Sequence, residues 1–200
     1  MTGGLGEVLL FATHNAGKVE EMQQMLAPYG MRVVSAKELT LPEPEETEDS
    51  FVGNARIKAH AAAKATGLVA LADDSGLCVD ALGGDPGVRT ADWAEGPGGR
   101  DFLRAMERTR AALGDAPQPW GAEFRSTLVL AWPDGRDEVY EGAVRGHLVW
   151  PIRGALGHGY DPMFVPEGES RTFAEMSAEE KNALSHRARA LAALVKARFT

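Results

Sequence analysis

The alternation of apolar and polar positions lays out strands and helices in turn. Val8-Leu9-Leu10-Phe11-Ala12 is a short unbroken apolar run, the pattern of a buried strand. Thr13-His14-Asn15-Ala16-Gly17 is turn chemistry. From Lys18 to Tyr29 the apolar residues fall at Val19, Met22, Met25 and Leu26, which is helical spacing, and Gly30 supplies a stop. Met31 to Ser35 reads as a second strand. A strand–helix–strand opening predicts a parallel pair joined by a crossover helix.

An acidic, proline-bearing loop follows from Pro42 to Asp49. Ser50 to Thr66 is alanine-rich and predicts a helix stopped by Gly67. Leu68 to Ala72 predicts a strand that ends in Asp73-Asp74-Ser75-Gly76, with a shorter strand after it at Leu77-Cys78-Val79. Gly83 to Gly87 and Gly96 to Gly99 are tight loops, the second leading into a helix from Asp101 to Leu113. Phe124 to Trp132 alternates, Pro133-Asp134-Gly135 turns, and Glu138 to Val149 is extended, so an antiparallel hairpin is expected. Near the C-terminus Ser177-Ala178-Glu179-Glu180 has the capping-box form. Leu184, Ala188, Leu191 and Val195 then make an apolar helical face. A single straight helix would put Lys181 and His186 about 140° apart. A break near Ser185, itself a suitable N-cap, would let both face one ligand.

Composition narrows the class. With 200 residues, 44% hydrophobic and 25% charged, the chain is expected to be a single soluble domain with two lobes, residues 1–6 being flexible. A formal net charge of −8 disfavours attachment to nucleic acid or anionic membrane. The lone Cys78, the lack of a membrane-length apolar run and the absence of a basic n-region at the start predict the cytoplasm. Trp93, Trp120, Trp132 and Trp150 are scattered and read as packing residues. His14, His60, His147, His158 and His186 have no zinc-ligand spacing.

Three islands carry candidate chemistry. Thr13-His14-Asn15-Ala16-Gly17-Lys18 follows a strand and opens a helix, where backbone N–H groups attract anions and Lys18 adds charge. It is not a Walker A loop, since the glycine spacing and the Ser/Thr after the lysine are missing. An ordinary turn with an exposed lysine is the other reading. Asp73-Asp74-Ser75-Gly76 stands at the C-terminal end of an expected strand, where open α/β sheets bind ligands. One or two carboxylates there could hold Mg²⁺ with substrate phosphates, a second one coming from Glu43, Glu45, Glu46 or Glu48. Gly157-His158-Gly159-Tyr160-Asp161-Pro162 offers Tyr160 as an aromatic wall and Asp161 as an acceptor. The plainer alternative is a Tyr packed under a turn that Asp161 caps. Lys181, His186 and Arg187 add donors suited to phosphate or to carbonyl oxygens on a base.

In this order and spacing the islands closely resemble the Ham1-like inosine/xanthosine triphosphate pyrophosphatases, from about Leu9 to Leu191. The resemblance implies an α/β fold. A long twisted mixed β-sheet with flanking helices would form two lobes enclosing a nucleotide cleft. It implies a homodimer and Mg²⁺-dependent hydrolysis of dITP, ITP or XTP to the monophosphate and pyrophosphate. By position, Thr13, His14, Asn15, Ala16, Gly17 and Lys18 match the triphosphate loop. Glu46 and Asp74 match the metal carboxylates, Asp74 being also the general base. Lys58, Ser75 and Lys181 match substrate contacts, His158, Gly159, Tyr160 and Asp161 the base-stacking segment, and His186 with Arg187 the base-edge readers. The chain departs from the family at His158, where Phe is usual, at Asp92, where many members carry Arg, and at Gly53, where Glu is usual.

Physical chemistry alone supports a mechanism for such a set. Asp74 could orient water and hold Mg²⁺ while Lys18, Lys58 and Lys181 neutralise phosphate oxygens. Donors at His186 and Arg187 would favour a 6-keto purine over adenine's 6-amino group. The alternatives are a Maf-like pyrophosphatase for other nucleotides and a non-catalytic nucleotide sensor.

Overall fold

The computed structural model describes residues 7–199; the expectation for residues 1–6 lies outside them. Strands β1 (Val8–Phe11), β2 (Arg32–Ser35), β3 (Ala70–Val79), β4 (Trp120–Ala131), β5 (Asp137–Leu148) and β6 (Phe164–Pro166) form one sheet in the order β2-β1-β3-β4-β5-β6. β1 pairs parallel with β2, Val8 to Phe11 facing Arg32 to Ser35, and parallel with β3 at Leu10↔Ala70 and Phe11↔Leu71. β5 and β6 pair antiparallel. The sheet is therefore mixed, as expected. The helices are α1 (Ala16–Leu26), α2 (Phe51–Thr66), α3 (Phe102–Leu113), α4 (Ala178–Leu184) and α5 (His186–Arg198).

Local chemistry accounts for the helix ends. Asn15 caps α1 by accepting from the Lys18 N–H, and Gly30 closes the following 3-10 turn in the left-handed region at φ 72°. Ser50 caps α2, and Gly67 ends it at φ 71°. Asp101 caps α3 through the Leu103 and Arg104 N–H groups. Ser177 and Glu180 make the capping box of α4. The predicted break is present: Ser185 is extended (φ −67°, ψ 155°), and its Oγ accepts from the Ala188 N–H at 3.1 Å at the start of α5.

The chain divides into two compact units, 7–74 with 127–141 and 190–199, and 75–126 with 142–189. In the first, side-chain alternation sorts two cores onto opposite faces of the strands. Leu9, Phe11, Leu128 and Leu130 pack with Met22 and Leu26 of α1 and Leu191 and Leu194 of α5. Leu10, Val129 and Ala131 pack with Ala55, Ala59, Ala62 and Ala63 of α2, whose small side chains suit close approach. The second unit has one core, in which Trp93, Trp120, Phe124, Tyr160, Phe164 and Phe173 provide the aromatic volume. Trp150 by contrast is largely exposed.

The structure corrects three expectations. β3 does not stop at Asp73 but runs unbroken through Asp74, Ser75 and Gly76 to Val79. Turn-prone residues stay extended because β3 neighbours β4 in the sheet, and pairing overrides local preference. β1, however, ends at Phe11 opposite Leu71, so the parallel pairing does finish just before Asp73. β4 begins at Trp120, earlier than the alternation starting at Phe124 indicated. The short β6 was not foreseen; Gly146 of β5 lies opposite its Pro166.

A methyl group at Gly146 would sit 2.2 Å from the Val165 carbonyl oxygen, which belongs to fixed backbone. Gly146→Ala is expected to destabilise the protein by about 1–3 kcal/mol. A urea melt of the variant against the parent checks this; an unchanged midpoint would refute the close approach.

Candidate active site

In the first unit the site grows from the end of the parallel pairing. Thr13 and His14 continue the chain past β1, and Asn15 starts α1. Thr13 Oγ accepts from the Asn15 N–H at 3.2 Å, and His14 Nε2 lies 2.8 Å from the Leu41 carbonyl. The loop 13–17 thus ends in a capped helix start whose third residue is Lys18. Lys18 Nζ reaches Asp73 Oδ2 at 2.9 Å, a carboxylate whose side chain is 1% exposed. Lys58, on α2, donates to the Asp73 carbonyl at 2.9 Å and lies 2.6 Å from Glu46 and 3.5 Å from Asp74. Thr13 to Lys18, Glu46, Lys58 and Asp74, predicted from distant segments, are therefore brought together. Asp73, whose carboxylate role sequence reasoning left open, holds Lys18. Glu43, Glu45 and Glu48 are exposed, as a solvated loop would be.

The electrostatics of this group are uneven. Burial is the largest influence on Asp74 and pushes its carboxyl up to about 6; Lys58 opposes, Glu46 and Asp73 add to the rise, and Lys18 opposes. Lys58 does not cancel the burial because it lies closer to Glu46. For Lys58 itself, burial works against the charge, but Asp74, Glu46 and Asp73 outweigh it and hold the ammonium above its usual range. Asp74 Oδ2 is buried and makes no hydrogen bond. Such an oxygen is costly unless a partner is supplied. Among the described residues no three His, Cys, Asp or Glu side chains already form a cation site. A hard cation that takes one or two carboxylates, with water and phosphate oxygens for the rest, needs no such trio. The hard oxygens of Asp74 and Glu46 suit it.

In the second unit, Gly157 to Pro162 forms a turn fastened by its own carboxylate. Asp161 Oδ2 accepts from the His158 N–H at 2.9 Å and from Lys181 Nζ at 2.5 Å. A Cβ on Gly157, whose φ is +71°, would fall 2.1 Å from that oxygen, so only glycine fits. His158 is exposed. Tyr160 is 1% exposed and meets Phe102 edge-on at 5.9 Å, so the aromatic wall read from the sequence is instead a core ring. Burial pushes its phenol up to about 12, against the opposing influence of the Thr109 hydroxyl. The plainer reading holds here: the ring packs under the turn and Asp161 caps it. Lys181, expected as a substrate contact, pairs its amine with Asp161, as Lys18 does with Asp73. Gly159 takes φ +65° within the same turn.

His186 and Arg187 open α5 immediately after the break and are both buried, at 7% and 5% exposure. The imidazole of His186 stacks on Phe124 of β4, with centroids 5.0 Å apart and planes 13° from parallel. Sequence reasoning missed Phe124; an inward aromatic on an alternating strand carries no signal beyond packing. Ser75 follows Asp74 on β3 and is half-buried.

Comparison with known proteins identifies the family. The family model described as the Ham1 family matches residues 9–197. A dITP/XTP pyrophosphatase from Ruegeria pomeroyi is 67% identical over 97% of this chain and 96% of its own. One from Gluconobacter oxydans is 58% identical over 95% and 90%. Among solved structures, a Coxiella burnetii HAM1 protein superposes with TM-score 0.88 at 35% identity, covering 95% of this chain and 97% of its own. The Staphylococcus aureus Ham1 protein gives 0.84 at 32%, with 95% and 96% covered. The chain belongs to the Ham1 family.

The raised Asp74 carboxyl has a consequence for stability. Its folded value, about 6, lies above the ordinary 3.8, so the folded state binds the proton more tightly. That contribution is fully present below pH 3.8 and is lost as pH rises through 6. At pH 7.5 the buried carboxylate therefore strains the metal-free protein, and Asp74→Asn is expected to be more stable than the parent by about 1–3 kcal/mol. Melts in chelator at pH 7.5 and pH 4 measure this; the gain should vanish at pH 4, and a loss at pH 7.5 would contradict the strain.

Proposed function

We propose that this chain hydrolyses dITP, ITP and XTP to the monophosphate and pyrophosphate, removing altered purines from the nucleotide pool. The observation that carries the reading is the Asp74 carboxylate: buried, 3.5 Å from the Lys58 ammonium, with Oδ2 lacking a hydrogen bond. A group titrating near 6 is ionised at neutral pH yet basic enough to take a proton. Asp74 would accept it from the water that attacks phosphorus. Lys18 and Lys58 would exchange their carboxylate partners for phosphate oxygens, and the loop 13–17 would meet the phosphates with the N–H groups at the start of α1. Mg²⁺ held by Asp74 and Glu46 would supply neutralisation of the charge that develops on the phosphates.

At the base end, His158 stands exposed on its turn for ring contact, with Gly159 and Asp161 shaping that turn. Lys181 fastens the turn to α4 through Asp161. His186 and Arg187 would donate to a 6-keto oxygen, leaving adenine's amino group mismatched. Ser75 lies beside the catalytic carboxylate as a substrate contact. A homodimer and the cytoplasm complete the proposal, and the net charge of −8 argues against nucleic acid or membrane as partners.

Pyrophosphate release with Mg²⁺ over ITP, dITP, XTP, ATP, GTP and modified UTP tests the reading. ITP and XTP are expected to exceed ATP in kcat/KM by about 10² or more. Preference for modified UTP would favour a Maf-like activity instead, and binding without release would indicate a sensor. Asp74→Asn should lower kcat by about 10² or more, and parent kcat/KM should fall towards acid pH as Asp74 gains its proton, below the value of about 6 that holds without metal, because Mg²⁺ opposes the proton. Near-parent kcat in the variant removes Asp74 from the mechanism. His186→Ala or Arg187→Ala should cost the keto substrate about 1–3 kcal/mol and erode the ITP/ATP ratio; an equal fall for both nucleotides argues against base-edge reading.

A further inference from the structure

The stacking of His186 on Phe124 carries more than packing. His186 is the first residue of α5, directly after an extended Ser185, so its backbone is held by the helix break and its cap. The side chain still has two torsions to settle. Phe124 lies face to face with the imidazole at 5.0 Å and 13°, an offset-stacked pair. The phenyl ring is itself clamped. Phe164 meets it at 4.7 Å and 62°, Phe173 at 6.1 Å and 30°, and Phe164 and Phe173 contact each other at 5.3 Å. Both of those rings are fully buried. The imidazole of His186 thus lies flat against an aromatic face that belongs to β4.

A hydrogen bond from a ring nitrogen weakens steeply once its angle falls below about 120°. The plane of the imidazole therefore decides whether it donates to a keto oxygen on a base. Resting on the base-edge reading above, we propose that Phe124 is a specificity-determining positioning residue. Its ring face fixes the plane of His186, and through it the choice of 6-keto over 6-amino purines. An aliphatic side chain at 124 would fill the same space without selecting a plane. Phe164 makes a good control, since it lies in the same cluster and its loss leaves Phe173 still packed on the Phe124 ring.

The experiment compares Phe124→Leu with Phe164→Leu in the full-length protein. Both are expected to lower Tm. Only Phe124→Leu should reduce the ITP/ATP ratio of kcat/KM, by about tenfold, since losing a donor to a keto oxygen costs about that much. The inhibition constant of pyrophosphate, which reports the phosphate end alone, should stay within twofold for both, a limit set by roughly 0.4 kcal/mol at ambient temperature. In the proton NMR spectrum the His186 ring signals should lose their ring-current shift in Phe124→Leu and keep it in Phe164→Leu. If Phe124→Leu does not fold, Phe124→Met carries the same comparison. Equal loss of selectivity in both variants, or an unchanged ratio in the Phe124 variant, overturns the proposal. Failure of the parent to prefer ITP would instead overturn the functional reading on which it rests.

Discussion

Two adjacent carboxylates inside a strand are an electrostatic problem that the first unit is built around. Asp73 and Asp74 are 5% and 7% exposed, and neither could stay charged there without nearby cations. Because successive side chains on a strand point to opposite faces, no single lysine can serve both. Lys18, in the first turn of α1, answers Asp73; Lys58, on α2, answers Asp74 and shares itself with Glu46. The two helices lie on opposite faces of the strands, so each face delivers one lysine. The neutralisation is deliberately incomplete at Asp74, and that shortfall is what suits the carboxylate to accept a proton or a cation.

The second unit solves a different problem, that of presenting polar groups from a largely aromatic core. Its turn is held by one carboxylate accepting from a backbone N–H and from Lys181, while Tyr160 anchors it from below. His186 and Arg187 are delivered by a helix start whose direction Ser185 resets. Rings that seem to contribute only volume, Phe124 above all, also set orientation. Burial and chemistry are therefore not separate jobs here. The same contacts that exclude water hold the donors in place.

Hypoxanthine differs from adenine at one exocyclic position and xanthine at two, which are small differences to read by binding alone. Discrimination is large only when a mismatched base leaves a buried donor unsatisfied. On the proposed base-edge reading, the burial of His186 and Arg187 suits them to that task, as exposure would not. The exposed His158, by contrast, is suited to a contact that tolerates variation.

Much of this was legible before the fold. Apolar runs and helical spacing located β1, β2, α1, α2 and α3, and the cap at Ser177 with stops at Gly30 and Gly67 are encoded within four or five residues of where they act. The break at Ser185 was legible for the same reason, as two donors five residues apart cannot share one face of a straight helix. The tertiary structure alone decided how the charges pair. Lys18 and Asp73 are separated by 55 residues and Lys181 and Asp161 by 20, and which side chains meet depends on strand order, not on neighbours in sequence. It also decided that β3 runs through its Asp-Asp-Ser-Gly segment, that Tyr160 is core, and that Phe124 lies under His186. Local sequence sets where a helix starts and stops; strand limits, burial and pairing, which fix what a residue can do, are properties of the assembled sheet.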